Sequence, residues 1–183
     1  MRWVVAAMLL VGCSGRVALS EGDRTYVGRL SGTDALVAVT VNQGHVRAYS
    51  CGGASTLATR TQWFRGDLSA NRGTFTAGTL TLDLELAADR VVGFIEASGT
   101  KEPIDLRLAG PRGGLWSAPA SHCATGLIAL DDGTTQGAYC VDANVRAQVV
   151  PVRPLMEGDD AVEVLVGGDG PRATLLRVRA TTP

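Results

Sequence analysis

Four cysteines and two histidines carry most of the reactive side-chain chemistry of this 183-residue chain. Cys123 and Cys140 flank the turn Asp131-Asp132-Gly133 almost symmetrically, so in a β-hairpin they stand opposite or diagonal to one another. A disulfide needs Cα atoms about 4.4 to 6.8 Å apart with converging Cβ vectors. A register shift of one residue turns the two side chains to opposite faces and forbids it. Cys51 with Cys140 is the competing pair, and a third reading keeps Cys51, Cys123 and Cys140 as small buried hydrophobes. His45 and His122 are too few for a zinc site built of histidines alone, and a mixture of His122, Cys123 and Cys140 lacks the close paired spacing of structural zinc sites. Gly53-Ala54-Ser55-Thr56 lacks the second glycine of a nucleophile elbow. Ser50-Cys51 offers a nucleophile, but an activated thiol needs a base and an electropositive setting that the sequence does not place. Glu157-Gly158-Asp159-Asp160 and Gly168-Asp169-Gly170 do not match a calcium-binding loop and read as solvated turns. Glu85, Glu96 and Glu102 are too scattered for spacing to argue a catalytic carboxylate pair. These residues point away from an enzyme and imply no cofactor and no metal.

Aromatic side chains are scarce, which makes Trp63 and Trp116 the candidate ligand or contact residues, with core packing as the alternative for each. Trp63 and Phe64 are adjacent, so on a strand they face opposite sides. One is expected in the core, and the other is covered by a loop or exposed as a contact site.

The elements that must position these residues are strands. From Tyr26 onward the period is two: Leu80, Leu82, Leu84 and Leu86 alternate with Thr81, Asp83 and Glu85, and Val37, Val39 and Val41 alternate with Ala38, Thr40 and Asn42. Similar runs occur at 91–97, 104–108, 145–152, 162–166 and 175–180, separated by turn residues such as Asn42-Gln43-Gly44, Ala88-Asp89 and Gly99-Thr100. About a dozen short strands predict an all-β fold, an antiparallel meander that is barrel-like or a two-sheet sandwich. No segment has the pattern of an amphipathic helix. The least patterned stretches, 52–60 and 110–120, are expected to be loops.

The segments Ala35 to Cys51 and Ala124 to Cys140 align without a gap, Gly44 with Gly133 and Cys51 with Cys140. Each reads as strand, three-residue turn ending in glycine, strand, the turn glycine suiting a left-handed residue after a type I turn. An internal duplication is one explanation, and the common look of all β-hairpins is the other.

At the N-terminus, Arg2 is followed by an apolar run from Trp3 to Val11 and then by Gly12 and Cys13. That run is too short to cross about 30 Å of hydrocarbon as a helix. Leu10-Val11-Gly12-Cys13 resembles the lipobox of bacterial lipoproteins. The resemblance implies a signal peptide over 1–12, a diacylglycerol thioether on Cys13, and a lipidated cysteine with its tether over 13–24. A single β-rich domain is then expected over 25–183. The implied partner is a membrane reached through the lipid anchor, since two or more acyl chains hold a protein where one binds marginally. The implied location is the extracytoplasmic face of the cell envelope. Ser14 stands where the proteobacterial inner-membrane retention signal has aspartate, so in a source with two membranes the outer one is expected. With Cys13 acylated, an odd set of thiols remains in an oxidising compartment.

The body also resembles uncharacterised β-rich secreted or lipid-anchored envelope proteins of GC-rich bacteria. Tyr26-Val27-Gly28, Cys51-Gly52, Trp63-Phe64-Arg65-Gly66 and Gly114-Leu115-Trp116 carry that resemblance, which implies an envelope domain and no named activity. Formal net charge is −1 and both signs are scattered, leaving no basic face for nucleic acid. The expected role is non-enzymatic binding or structural interaction in the envelope, with an envelope protein or a small apolar ligand as partner. A lipocalin-like carrier is the first alternative, and an envelope-acting hydrolase the second.

Overall fold

Leu80, Leu82, Leu84 and Leu86 are all buried while Thr81, Asp83 and Glu85 between them are not, so the period of two translates directly into one core-facing side of a strand. The computed structural model describes residues 22–118, 124–141 and 145–180, and the fold is all-β. Its first part comprises β1 (Arg24–Arg29), β2 (Leu36–Asn42), β3 (His45–Cys51), β4 (Gln62–Asp67), β5 (Arg72–Ala77), β6 (Leu80–Leu86), β7 (Arg90–Ala97) and β8 (Thr100–Leu108). They form one antiparallel sheet in the order β4-β3-β2-β1-β8-β7-β6-β5. The sheet curls into a nearly closed barrel, with Phe75 of edge strand β5 lying against Gly66 of edge strand β4. Its interior is filled by side chains that include Tyr26, Val39, Phe64, Phe75, Leu82 and Ile95.

The second part comprises β9 (Gly114–Ser117), β10 (Gly126–Ala129), β11 (Thr135–Cys140), β12 (Arg146–Pro151), β13 (Ala161–Val166) and β14 (Arg172–Arg177). These close into a six-stranded barrel in the order β10-β11-β12-β13-β14-β9. Trp116, Leu127, Val149, Val164 and Leu175 pack its interior.

A third apolar cluster joins the two sheets, with Val27, Leu36, Ala38, Tyr49 and Cys51 from the first against Leu115, Ile128, Ala138 and Val178 around the second. Polar groups stitch the same interface. Tyr49 Oη donates to Ala124 O at 2.8 Å, Trp63 Nε1 donates to Thr125 O at 3.1 Å, and Gln136 Nε2 donates to Cys51 O. This second contact explains why β2 departs from its alternating pattern. Val37 and Val39 face the eight-stranded interior, Leu36 and Ala38 face the second sheet, and even Thr40 is fully buried, bonded to Thr25 Oγ1 at 3.0 Å.

Three sequence expectations change in detail. The stretch 52–60 holds the short helix α1 (Leu57–Arg60), and 110–120 contains β9. β9 is only four residues long and exists through its long-range pairing with β10 and β14, which no local pattern records. The hairpins over Ala35–Cys51 and Ala124–Cys140 do form, yet their turns differ. Asn42 pairs with His45, leaving a two-residue turn whose Gln43 and Gly44 both have positive φ, 49° and 90°. That is the type I′ geometry that matches strand twist. In the other hairpin Leu130 N bonds Thr134 O at 2.9 Å across Asp131, Asp132 and Gly133, the expected three-residue turn.

Candidate binding site

The loop between β12 and β13 is built around one carboxylate. Asp159 receives both Nη atoms of Arg153, at 2.7 and 3.0 Å, and the backbone N–H of Met156 at 2.7 Å. The Arg153 guanidinium holds the Asp159 carboxyl below its ordinary value. The loop so folded is bonded to the six-stranded barrel through the Asp159 carbonyl, which accepts from Trp116 Nε1 at 3.0 Å and from Arg177 Nε at 3.1 Å.

Arg177 is the last residue of β14 and lies on the same strand face as Ala173 and buried Leu175, so its stem runs with the core-facing side chains. Its guanidinium carbon sits 4.6 Å from the Trp116 ring centroid, and Nη1 reaches Gly113 O at 3.5 Å. Partial burial lowers its pKa, an effect that the charges of Asp160 and Asp159 oppose. Among the described residues no carboxylate lies within 4 Å of it. Beside it opens a cleft of about 530 Å³ whose walls include Asp23, Gly110, Glu157, Asp160, Arg177 and Arg179. Arg179 leans between Asp23 at 3.9 Å and Asp160 at 3.8 Å. Asp23 is already committed, accepting from Ala180 N at 2.9 Å and Asn42 Nδ2 at 3.3 Å, so it ties the start of β1 to the chain beyond β14.

A second concavity, about 390 Å³, lies where the β11–β12 ladder ends at Ala138 and Gln148. Leu130, Val150, Val152 and Leu155 give it an apolar lining, and Arg112 and Arg153 flank it. Val150 and Val152 are exposed.

Trp116 is fully buried in the six-stranded core and offers no face to a ligand. Trp63 stacks on Tyr49 with centroids 4.5 Å apart, carries Arg47 at 5.4 Å, and lies against Gly126 of the other sheet, while Phe64 takes the core side. Cys51 is a buried free thiol whose pKa burial pushes up to about 12, which excludes its pairing with Cys140 and leaves it protonated and inert. Cys140 is disulfide-bonded, and its N–H donates to Thr125 Oγ1 at 3.0 Å. Cys123, His122 and Cys13 lie outside the described residues. His45 is a surface residue paired with Asp67 at 2.6 Å. No three metal-ligating side chains gather among the described residues. Sequence reasoning passes over Arg177; its signal was an arginine on the apolar parity of a strand, two places beyond Leu175.

No known family model, curated protein or solved structure matches this chain.

Proposed function

We propose that this protein is a lipid-anchored β-domain of the cell envelope that acts by binding and not by catalysis. The observation that carries this reading is the packing of both interiors: Tyr26, Phe64, Leu82 and Ile95 fill the larger barrel, and Trp116, Leu127, Val164 and Leu175 fill the smaller. A ligand is therefore met at the outer surface, in the cleft beside Arg177 or the groove beside Val150, and not inside a barrel. The lipobox at Leu10-Val11-Gly12-Cys13 supplies the anchor. β1 begins at Arg24, eleven residues after Cys13, a length that spans at most about 40 Å when extended and keeps the domain near the bilayer. The oxidising location accords with a Cys123–Cys140 disulfide, a pairing supported by the bonded state of Cys140 and the free state of Cys51.

A second reading, a carrier of a small apolar ligand, draws on the groove lined by Leu130, Val150, Val152 and Leu155. Two measurements test these readings. Cys13→Ser should abolish lipid labelling and release the protein from membranes, and unchanged membrane association refutes the anchor. Native mass spectrometry of the protein purified from its source organism should show a retained partner or ligand; an apolar molecule lost on Val150→Asp selects the carrier, whereas turnover of envelope glycan by the pure protein overturns both.

A further inference from the structure

We propose that the cleft beside Arg177 is a receptor for a small zwitterion, an amino acid or short peptide, with its carboxylate on the Arg177 guanidinium and its ammonium toward Glu157 and Asp160. This names the ligand for the binding role proposed above and rests on that role, but it does not depend on the anchor. A guanidinium has five N–H donors. Arg177 commits two, Nε to Asp159 O at 3.1 Å and Nη1 to Gly113 O at 3.5 Å, and both acceptors are neutral carbonyls that aim the group without balancing its charge. Three donors remain on a half-buried cation that faces a cleft and has no carboxylate within 4 Å among the described residues. The fork geometry of those donors matches a carboxylate.

The group is also preorganised. Trp116 supports one face of it at 4.6 Å, and the glycine at 114 makes room for it, since a Cβ there would fall 2.8 Å from Nη1 and 3.0 Å from Trp116 Cη2. A cation fixed before the ligand arrives loses little side-chain entropy on binding.

The rest of the lining decides the ligand's second charge. Arg177 and Arg179 supply two positive charges against the three carboxylates of Asp23, Glu157 and Asp160, a formal sum of −1. A dianion such as phosphate meets repulsion from that rim, while a ligand carrying one charge of each sign is accommodated at both ends. Arg179 stands about equally far from Asp23 and Asp160, at 3.9 and 3.8 Å, but Asp23 also accepts from Ala180 N and Asn42 Nδ2, whereas among the described residues no hydrogen bond reaches the carboxylates of Asp160 and Glu157, which are the acceptors left for an ammonium. The cleft, at about 530 Å³, falls within the usual size of small-molecule sites.

Calorimetric titration of the full-length chain in detergent tests this, using L-alanyl-L-alanine, its C-terminal amide, its N-acetyl form and inorganic phosphate. The free dipeptide is expected to bind, and each blocked form to bind at least about tenfold more weakly, equivalent to about 1.4 kcal/mol. Arg177→Gln should weaken the free dipeptide by a similar factor and leave the amide unchanged, with near-ultraviolet circular dichroism checking that Trp116 keeps its environment. Equal affinity for dipeptide and amide overturns the proposal, as does phosphate binding in place of the dipeptide or no dipeptide binding at all. The blocked peptides decide on the unaltered protein, so a misfolded variant does not obscure the result. Capture of an apolar ligand from the source without dipeptide binding would sustain the binding role and sink this assignment.

Discussion

Trp116 and Arg177 stand opposite one another in the β9–β14 ladder and donate to the same oxygen, the Asp159 carbonyl, at 3.0 and 3.1 Å. One carbonyl thereby binds the barrel core and the cleft wall to the loop between β12 and β13. Trp116→Ala empties a fully buried site and is expected to cost about 3 to 5 kcal/mol in urea unfolding. Trp116→Tyr or Trp116→Phe, which retains most of the apolar volume, should be several-fold less damaging; equal losses would refute the packing role.

Arg60 and Glu102 form a bidentate pair, Nη2 to Oε1 at 2.6 Å and Nε to Oε2 at 2.9 Å, with side chains only 18% and 11% exposed. The pair fastens α1 to β8. Removing one partner strands a buried charge, so Arg60→Met or Glu102→Gln should each cost about 3 kcal/mol in denaturant unfolding, and the double variant less than the sum. Additive losses would show that the two groups do not act as a pair.

Asp34 holds the segment between β3 and α1, accepting from Ser55 N at 2.9 Å, Ser55 Oγ at 2.7 Å and Thr56 Oγ1. These bonds lower its pKa from 3.8 to about 2. A carboxyl with a depressed folded-state value adds stability that is complete above its unfolded value and disappears as pH falls through the folded one. Asp34→Asn should therefore lower the thermal midpoint at pH 6, and its difference from the parent should vanish as pH drops from about 4 to about 2. A difference independent of pH over that window refutes the role of the charge.

Gly93 of β7 faces the backbone of β6 so closely that an added Cβ would meet Asp83 O at 2.0 Å, and its φ of 154° is itself one that few side chains adopt. Gly99, in the turn between β7 and β8, has φ of 81° and open space around it. Gly99→Ala should cost about 1 kcal/mol through the backbone alone, whereas Gly93→Ala should cost more than about 3 kcal/mol or abolish folding. Thermal unfolding of the two variants side by side decides.

The thiols give a direct count. Cys51 is buried and protonated, and Cys140 is disulfide-bonded. Native protein bearing an acylated Cys13 should show no reaction with a thiol-specific disulfide reagent at pH 8, and denaturation without reductant should expose a single reactive thiol per chain. Release of three thiols would refute the Cys123–Cys140 bridge.

The all-β class is legible in the local pattern of the chain. Alternation at Leu80 to Leu86 placed a strand and its buried face, Asp131-Asp132-Gly133 placed a three-residue turn, and Trp63-Phe64 foretold one aromatic on each side of a sheet. These are local consequences of a period of two and of turn conformations, and a short window contains them. Long-range contacts divide the strands into an eight-stranded sheet and a closed six-stranded barrel, bury β2 on both faces, and make β9 a strand at all. They also bring Trp116, Asp159 and Arg177 together from positions separated by 43 and 18 residues. Each of these depends on which surfaces meet. A strand's outer face reads as polar until a second sheet covers it, and an arginine's charge gains its meaning from the carbonyls, ring and cleft that surround it only after the barrel has closed.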